Sequence, residues 1–343
     1  MVSSGIAAQL GGSEPKPVRN EGPENYVASA ALDSAVEVAL LLGKPLLVTG
    51  EAGSGKTQLA EYVRWKQKLE YPTLKFETKS TSCGQDLFYS YNTLARFHDA
   101  QTARISGQSQ AGKDTVAPPS SAEYITYRAL GEAILRTNPY ENVKEWLPSW
   151  MASWSKPHQS VVLIDEVDKA PLDFPNDILN EIEYLYFRIA ELRNREVSCG
   201  TAKLRPIMVL TSNSEKTLPE PFLRRCVYFH IDRPSKTTLQ KIATNRIVTL
   251  RGQESKLLDQ ALEIFLGLQD ERLRLDKRPG TAELLDWLIA LTAKIPPGTN
   301  LLKYDYQSVF EASLAALIKG ENDPARAKAW LVERKWLKPA TSS

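Results

Sequence analysis

The stretch GEAGSGKT at residues 50–57 constrains this chain of 343 residues more than any other feature. It fits the pattern G-x-x-x-x-G-K-[ST]. It lies between the apolar, strand-like run PLLVTG at 45–50 and a polar, helix-like segment at 57–70. In that context glycines let backbone N–H groups surround phosphate oxygens at a helix N-terminus. The phosphate-binding residues that the motif predicts are Gly50, Glu51, Ala52, Gly53, Ser54, Gly55, Lys56 and Thr57, with the Thr57 hydroxyl on Mg²⁺.

A second apolar run, VVLIDE at 161–166, ends in two acids. If this strand lies beside the phosphate loop, Asp165 reaches the metal through its water. Glu166 then polarises the water that attacks the terminal phosphate. The competing interpretation is a strand that runs into an acidic helix cap.

A third run, PIMVLTSN at 206–213, ends in polar residues. The amide of Asn213 is expected to lie between the two acids and to hold the attacking water or the terminal phosphate. The competing interpretation is a turn at the end of a strand, where Ser and Asn are ordinary residues.

Alternating strand and helix patterns extend to about residue 233, and only amphipathic helical patterns follow. This order predicts an α/β fold, with a parallel sheet and helices on both of its faces over 24–233 and an all-helical part over 234–338. Residues 1–23 are predicted to be a mobile tail, and residues 339–343 a second tail.

Several local features carry weaker predictions. A strand is expected at 73–82, a loop or disordered stretch at 99–121, and a hairpin rather than a plain connection at 187–205. Tryptophans recur every four residues and predict one packed face of a helix; they are Trp146, Trp150 and Trp154.

Composition limits the class of partner and the compartment. The net charge of +2 gives no basic field for nucleic acid or for a membrane surface. Three cysteines at irregular spacing indicate reduced thiols. The first residues lack the basic and apolar regions of a signal peptide, so a cytoplasmic location is predicted.

The motifs occur in an order that resembles the AAA+ ATPases, and among them the MoxR family. GEAGSGKT looks like the Walker A motif of these proteins, VVLIDEVDKAP like Walker B and LTSN like sensor 1, whereas LPEPFLRRC looks like their arginine-finger segment. The flanks of the polar stretch look like a helix-2 insert at about 84–128. The resemblance covers about residues 24–320 and implies a P-loop αβα sandwich with a helical lid, ATP and Mg²⁺.

The paired Arg224 and Arg225 gain a role from this resemblance. In a ring they would face the neighbouring subunit's terminal phosphate, where an arginine supplied in trans stabilises transition-state charge. The alternative is an arginine pair that binds surface carboxylates such as Glu220. The sequence does not decide which of the two arginines acts.

One position departs from the family pattern. The family's lid carries a sensor-2 arginine at the start of a helix, and here Thr281 stands at the matching position. Arg278 or Lys277 can replace it in nucleotide binding, or nucleotide sensing by the lid is weak. Thr281 is predicted to cap the helix that follows.

The resemblance implies a hexameric ring of ATPase subunits that remodels or activates a protein client, with a von Willebrand factor A protein as the implied partner. Two other classes stay open. One is a nucleic-acid motor or a GTP-driven restriction-type subunit, which the near-neutral charge disfavours. The other is a nucleotide-dependent switch with slow turnover.

Overall fold

The computed structural model describes residues 20–109, 120–213, 217–252, 255–302 and 306–338, with the backbone alone over 103–109. These residues form two compact units. The first, the sheet unit, comprises residues 28–51 and 56–231. The second, the helical unit, comprises the described residues up to Val27, the loop segment Ala52–Gly55 and the described residues from Asp232 onward.

A parallel sheet of five strands forms the centre of the sheet unit. The strands of the described chain are β1 (Leu46–Gly50), β2 (Leu74–Glu77), β3 (Tyr89–Tyr91), β4 (Ile125–Tyr127), β5 (Val161–Asp165), β6 (Tyr186–Ile189), β7 (Arg195–Ser198), β8 (Ile207–Ser212) and β9 (Val227–Ile231). The central sheet has the order β2, β5, β8, β1, β9, and each neighbouring pair is parallel. The predicted α/β class is therefore confirmed.

Burial shows how the sheet is covered. Every residue of β1 and of β5 is buried. Because successive side chains of a strand point to opposite faces, continuous burial means that both faces of the sheet are covered at these strands. The edge strand β9 instead alternates half-buried and exposed residues.

The sheet unit contains helices of very different lengths. The α-helices of the sheet unit are Ala30–Leu42, Lys56–Lys66, Thr93–Ser109, Ala129–Arg136, Tyr140–Val143, Phe174–Asp177, Leu179–Tyr184 and Glu220–Leu223. The first begins at a Ser29 cap, whose hydroxyl accepts from the Leu32 N–H at 3.1 Å, and ends at Gly43 in the left-handed conformation.

Two antiparallel strand pairs accompany the central sheet. Strand β3 pairs with β4, and β6 pairs with β7. The second pair confirms the hairpin predicted within 187–205. The strand predicted over 73–82 ends already at Glu77.

The predicted loop at 99–121 is wrong for its first half, because the helix Thr93–Ser109 continues through residues 99–109. These residues are polar, but they contain no proline and a single glycine, so they do not oppose a helix. Residues 110–119 lie outside the described residues, as do 1–19 and 339–343 of the predicted tails.

The predicted tryptophan face of a helix is also wrong. A 3₁₀ turn ends at Trp146, and the structure has no helix between 147 and 154. Pro148 accounts for the break, because it lacks an N–H and restricts the residue before it. Trp154 packs edge-on against Tyr140 at 5.2 Å between ring centroids, whereas Trp150 is exposed.

The helical unit contains the α-helices Lys236–Arg246, Lys256–Leu268, Thr281–Thr292, Gln307–Leu317 and Asp323–Glu333. Trp287 and Phe310 lie in its apolar core. The predicted capping role of Thr281 is wrong, because Gly280 is the cap and Thr281 is the first helical residue. The predicted tail ends earlier than residue 23, since the N–H of Asn20 donates to the Arg246 carbonyl oxygen at 2.8 Å.

Within the described residues, no helix combines the length and the apolar character that crossing a membrane requires.

Gly131 gives a stability test of the sheet unit. A Cβ at this helical position would lie 2.0 Å from the Phe88 carbonyl oxygen. We expect Gly131→Ala to lower the free energy of unfolding by about 2 kcal/mol or more, because backbone must shift to admit the methyl group. Urea unfolding followed by tryptophan fluorescence measures the change.

Gly298→Ala is the matched control, since a Cβ there would meet no atom within 4 Å. Its free energy of unfolding should stay within about 0.5 kcal/mol of the wild-type value. Equal unfolding midpoints for the two variants would contradict the close approach of Gly131 and Phe88.

Candidate nucleotide-binding site

The loop that follows β1 requires glycine at two positions. Gly53 and Gly55 have φ values of 76° and 87°. These values lie in the left-handed region, where a residue with a Cβ is disfavoured. The motif glycines are therefore fixed by the shape of the backbone between β1 and the helix that begins at Lys56.

The Lys56 side chain is buried, and its ammonium group contacts the backbone at the end of β1. Its Nζ donates to the carbonyl oxygens of Gly50 and Glu51, both at 2.8 Å. Burial lowers the pKa of Lys56, and the negative charges of Asp168, Asp165 and Glu166 oppose that shift. A desolvated ammonium that donates only to neutral carbonyls is suited to an anion, because a phosphate oxygen is a stronger acceptor.

Asp165, at the end of β5, accepts hydrogen bonds from two hydroxyls. Thr57 Oγ1 lies 3.0 Å and 3.2 Å from its two carboxylate oxygens. Thr211 Oγ1 donates to Asp165 Oδ1 at 2.6 Å. The predicted pair of Thr57 and Asp165 is thus brought together, with Thr211 as a third member.

The order of the strands in the sheet explains why Thr57, Asp165 and Thr211 lie close together. Strand β8 lies between β1 and β5, so the loop after β1 and the acids after β5 are separated by one strand. Parallel strands end at the same edge of a sheet, and their polar ends therefore converge. The acid strand is not the direct neighbour of β1, and Thr211 and Asn213 of the β8 end stand between them.

Glu166 has an unusual backbone conformation, with φ 56° and ψ 52°. Its N–H donates to Thr211 Oγ1 at 2.8 Å. The left-handed region costs a non-glycine residue about 1–2 kcal/mol. Strain of this kind is concentrated at functional sites.

Both carboxylate oxygens of Glu166 have partners in this structure. Asn213 Nδ2 donates to Oε1 at 3.0 Å, and Lys169 Nζ donates to Oε2 at 2.5 Å. The Asn213 N–H donates to the carboxylate of Asp168, with 3.2 Å to its nearer oxygen. Asn213 therefore contacts Glu166 and Asp168, where the sequence analysis expected it between Asp165 and Glu166.

Arg224 and Arg225 bind other acids of the sheet unit. Arg224 forms an ion pair with Glu220, one turn earlier in the chain. Arg225 Nε donates to Glu183 Oε2 at 2.8 Å, and its Nη1 donates to the Pro221 carbonyl oxygen. Among the described ion pairs neither arginine pairs with Asp165 or Glu166, and the Glu220 contact matches the alternative considered above.

The predicted replacement for a sensor arginine has a local partner. Arg278 Nη1 lies 3.2 Å from Glu271 Oε1. The N–H of Lys277 donates to the buried carboxylate of Asp323 at 2.9 Å. Both interactions lie within the helical unit.

The site residues fit a metal–nucleotide complex. The Thr57 hydroxyl and the Asp165 carboxylate are hard oxygen groups of the kind that Mg²⁺ prefers. Among the described residues no group of three or more His, Cys, Asp or Glu could hold a metal. The pair of Thr57 and Asp165 suits a cation that takes its other ligands from phosphates and water. The Ser54 hydroxyl is buried without a partner among these residues, and a phosphate oxygen would satisfy it.

Sequence reasoning missed three residues of this network: Thr211, Lys169 and Lys75. Thr211 lies within the apolar run at 206–213. A hydroxyl on a buried strand, beside the strand that ends in two acids, is the sequence feature that could have indicated it. Lys169 follows Glu166 by three residues, a spacing that suits a local ion pair. Lys75 Nζ lies 3.3 Å from Asp165 Oδ2 across the β2–β5 pair, and only strand register reveals that contact.

No protein-family model matches this sequence, and comparison with curated proteins gives no match.

Thr211 supplies the prediction for this site. Thr211→Val keeps the volume, but it leaves the Glu166 N–H and Asp165 without the hydroxyl. We expect a loss of about 1–3 kcal/mol in the free energy of unfolding. We also expect faster hydrogen exchange at the Glu166 amide, read by NMR.

Thr211→Ser is the control, because it retains the hydroxyl. The Glu166 amide should then exchange at close to the wild-type rate. Equal exchange at this amide in the Val and Ser variants would show that the Thr211 hydroxyl does not hold the Glu166 backbone.

Proposed function

We propose that this chain is an Mg²⁺-dependent ATPase of the AAA+ class, MoxR-like, whose αβα core and helical lid correspond to the sheet and helical units. The observation that carries the proposal is the meeting of Thr57, Asp165 and Thr211 within 3.0 Å contacts, beside Glu166 and Asn213. No residue of this set is close to all the others in sequence. Their convergence at one sheet edge supports a site built for a triphosphate and its metal.

Each residue has a role in hydrolysis. Residues 50–57 bind the phosphates, Lys56 contacts the terminal ones, and Thr57 and Asp165 hold Mg²⁺. When bound, Mg²⁺ neutralises negative charge on the phosphate oxygens. Glu166 accepts a proton from the water that attacks the terminal phosphorus, and ADP and inorganic phosphate are the products.

The side chains of Arg224 and Arg225 differ in their exposure to solvent. The side chain of Arg224 is 75% exposed and its partner Glu220 is 73% exposed, so this ion pair contributes little to stability and breaks readily. Arg225 is 36% exposed and is held by a second element through Glu183. We assign the trans-acting role to Arg224 and a positioning role to Arg225.

The ring, its client and its compartment follow from the same proposal. A trans-acting arginine requires an oligomer, and we propose a hexamer that remodels a protein client, with a von Willebrand factor A protein as the partner. The near-neutral charge favours a protein client over nucleic acid. The free thiols of Cys83, Cys199 and Cys226 support a reducing, cytoplasmic compartment.

A slow-turnover switch is the second candidate, and one observation favours it. Both carboxylate oxygens of Glu166 are engaged by Asn213 and Lys169. A base in that state has to exchange partners before it accepts a proton. Tight ATP binding with low turnover is the behaviour expected of such a switch.

Two variants distinguish ATP binding from ATP hydrolysis. Lys56→Ala should abolish ATP binding, because it removes the ammonium that contacts the phosphates. Glu166→Gln should bind ATP and lose about 100-fold or more in turnover, because the amide cannot accept the proton. Glu61→Gln, an acid on the same helix as Lys56, is the control and should hydrolyse ATP normally. Nucleotide binding is measured by calorimetry and turnover by phosphate release.

Wild-type turnover in Glu166→Gln would remove Glu166 as the base. The same assays with GTP and with added DNA test the rival classes. Turnover that depends on DNA indicates a nucleic-acid motor, a preference for GTP indicates the restriction-type class, and tight ATP binding with negligible turnover under all conditions indicates the switch.

Sharing of the site between subunits is tested by mixing. Arg224→Ala subunits retain Glu166 and should lose about 10³-fold in turnover or more at saturating ATP. Glu166→Gln subunits retain Arg224 and should lose about 100-fold or more. A mixture contains interfaces with both groups and should regain activity above either parent. Arg225→Ala, tested alone, should lose less activity than Arg224→Ala. A mixture no more active than its parents, or a monomeric mass in ATP, would exclude the shared site.

A further inference from the structure

Lys75 is the one cation paired with Asp165 among the described ion pairs. The residue lies on the edge strand β2, whose register places it beside Leu163 of β5. Its Nζ is 3.3 Å from Asp165 Oδ2 and 2.8 Å from Glu77 Oε1. Thr211 donates to Oδ1 of the same carboxylate, and Thr57 Oγ1 lies within 3.2 Å of both of its oxygens.

We propose that Lys75 is the resident counter-ion of Asp165 and that a divalent cation has to displace it, so that Lys75 sets the affinity of the site for metal. The inference rests on the proposed function, because it takes Asp165 as a metal-site residue. Its basis is charge and distance. An ammonium and a divalent cation at one nearly buried carboxylate repel each other, and this repulsion is only partly screened at a protein surface.

The structure provides a place for the displaced ammonium. A cavity of about 410 Å³ lies beside Lys75, and its lining includes Lys75 together with the acidic residues Glu77 and Asp86. The Lys75 side chain is 41% exposed, whereas that of Asp165 is 12% exposed. Lys75 is already bound to Glu77, so it can leave Asp165 and stay paired, without entering a less solvated environment.

The exchange has a consequence for selectivity. Free Mg²⁺ would gain only the Thr57 and Asp165 groups from the protein, and it would have to remove Lys75 to do so. A cation that arrives with a nucleotide gains phosphate ligands as well. Lys75 therefore disfavours metal without nucleotide and keeps Asp165 paired until both bind together.

Mn²⁺ binding tests the inference without measuring hydrolysis. Free Mn²⁺ is followed by electron paramagnetic resonance while the full-length protein is titrated with Mn²⁺, alone and with saturating ADP. Lys75→Met should bind Mn²⁺ about tenfold more tightly than wild type, and the gain should shrink as ionic strength rises. Lys75→Arg keeps the charge and should bind as wild type does.

Lys79→Met is the matched control. It removes one positive charge from the lining of the same cavity, but Lys79 has no ion pair with Asp165 in the structure. Its Mn²⁺ affinity should equal that of wild type. Lys75→Gln is a second neutral variant at the site position, and the melting temperature of each variant confirms folding.

The outcomes separate the two proposals. Equal Mn²⁺ affinity in wild type, Lys75→Met and Lys75→Gln overturns the role of Lys75 and leaves the ATPase proposal standing. A tenfold gain in Mn²⁺ affinity in Lys79→Met as well as in Lys75→Met also overturns the role of Lys75, because the loss of one positive charge would then explain the effect. Absence of Mn²⁺ binding in every protein, even with ADP, overturns both proposals.

Discussion

The position of β8 between β1 and β5 is the constraint on which the rest of the candidate site depends. Parallel pairing brings three strand ends to one edge, so the loop after β1, the acids after β5 and the polar end of β8 meet there. The Thr211 hydroxyl oxygen connects the groups at this edge. It donates to Asp165 at 2.6 Å and accepts from the Glu166 N–H at 2.8 Å, and so it fixes two acids with one side chain. Glu166 retains its left-handed backbone because that hydrogen bond and the surrounding strands hold it.

At this edge of the sheet, positively charged and negatively charged side chains lie close together. Lys56 is buried near Asp165, Glu166 and Asp168, and Lys75 and Lys169 each pair with one of the acids. Under the proposed function, a ligand would therefore exchange partners with groups that are already satisfied, instead of binding to vacant ones. Such exchange costs less than desolvating a free charge, because the low dielectric of the interior penalises an unpaired group. Under the same proposal, binding would be selective for a ligand that carries both the anion for Lys56 and the cation for Asp165.

Three sequence-based interpretations failed for separate physical reasons. The tryptophan spacing at 146–154 has helical period, but Pro148 prevents the helix. The polar composition of 99–109 indicated a loop, although residues without proline form a helix readily when they continue one already begun at Thr93. Thr281 has the side chain of a good cap, yet Gly280 is the cap and the helix begins one residue earlier than a threonine cap requires. For the tryptophan segment and for Thr281, a nearby residue, Pro148 or Gly280, overrules the local signal.

The sequence by itself determined the parts of this protein that depend on short-range chemistry. These are the glycines at 53 and 55, the Lys56–Thr57 pair, the acids that end an apolar strand and the α/β class that follows from alternating patterns. Tertiary structure alone decided which distant groups share an atom: Thr211 with Asp165, Asn213 with Glu166 and Asp168, Lys75 with Asp165, and Arg225 with Glu183. Periodicity fixes which face a residue occupies, but strand order and register fix its partner across the sheet. That order is set by the packing of the whole core and is not encoded in any one segment.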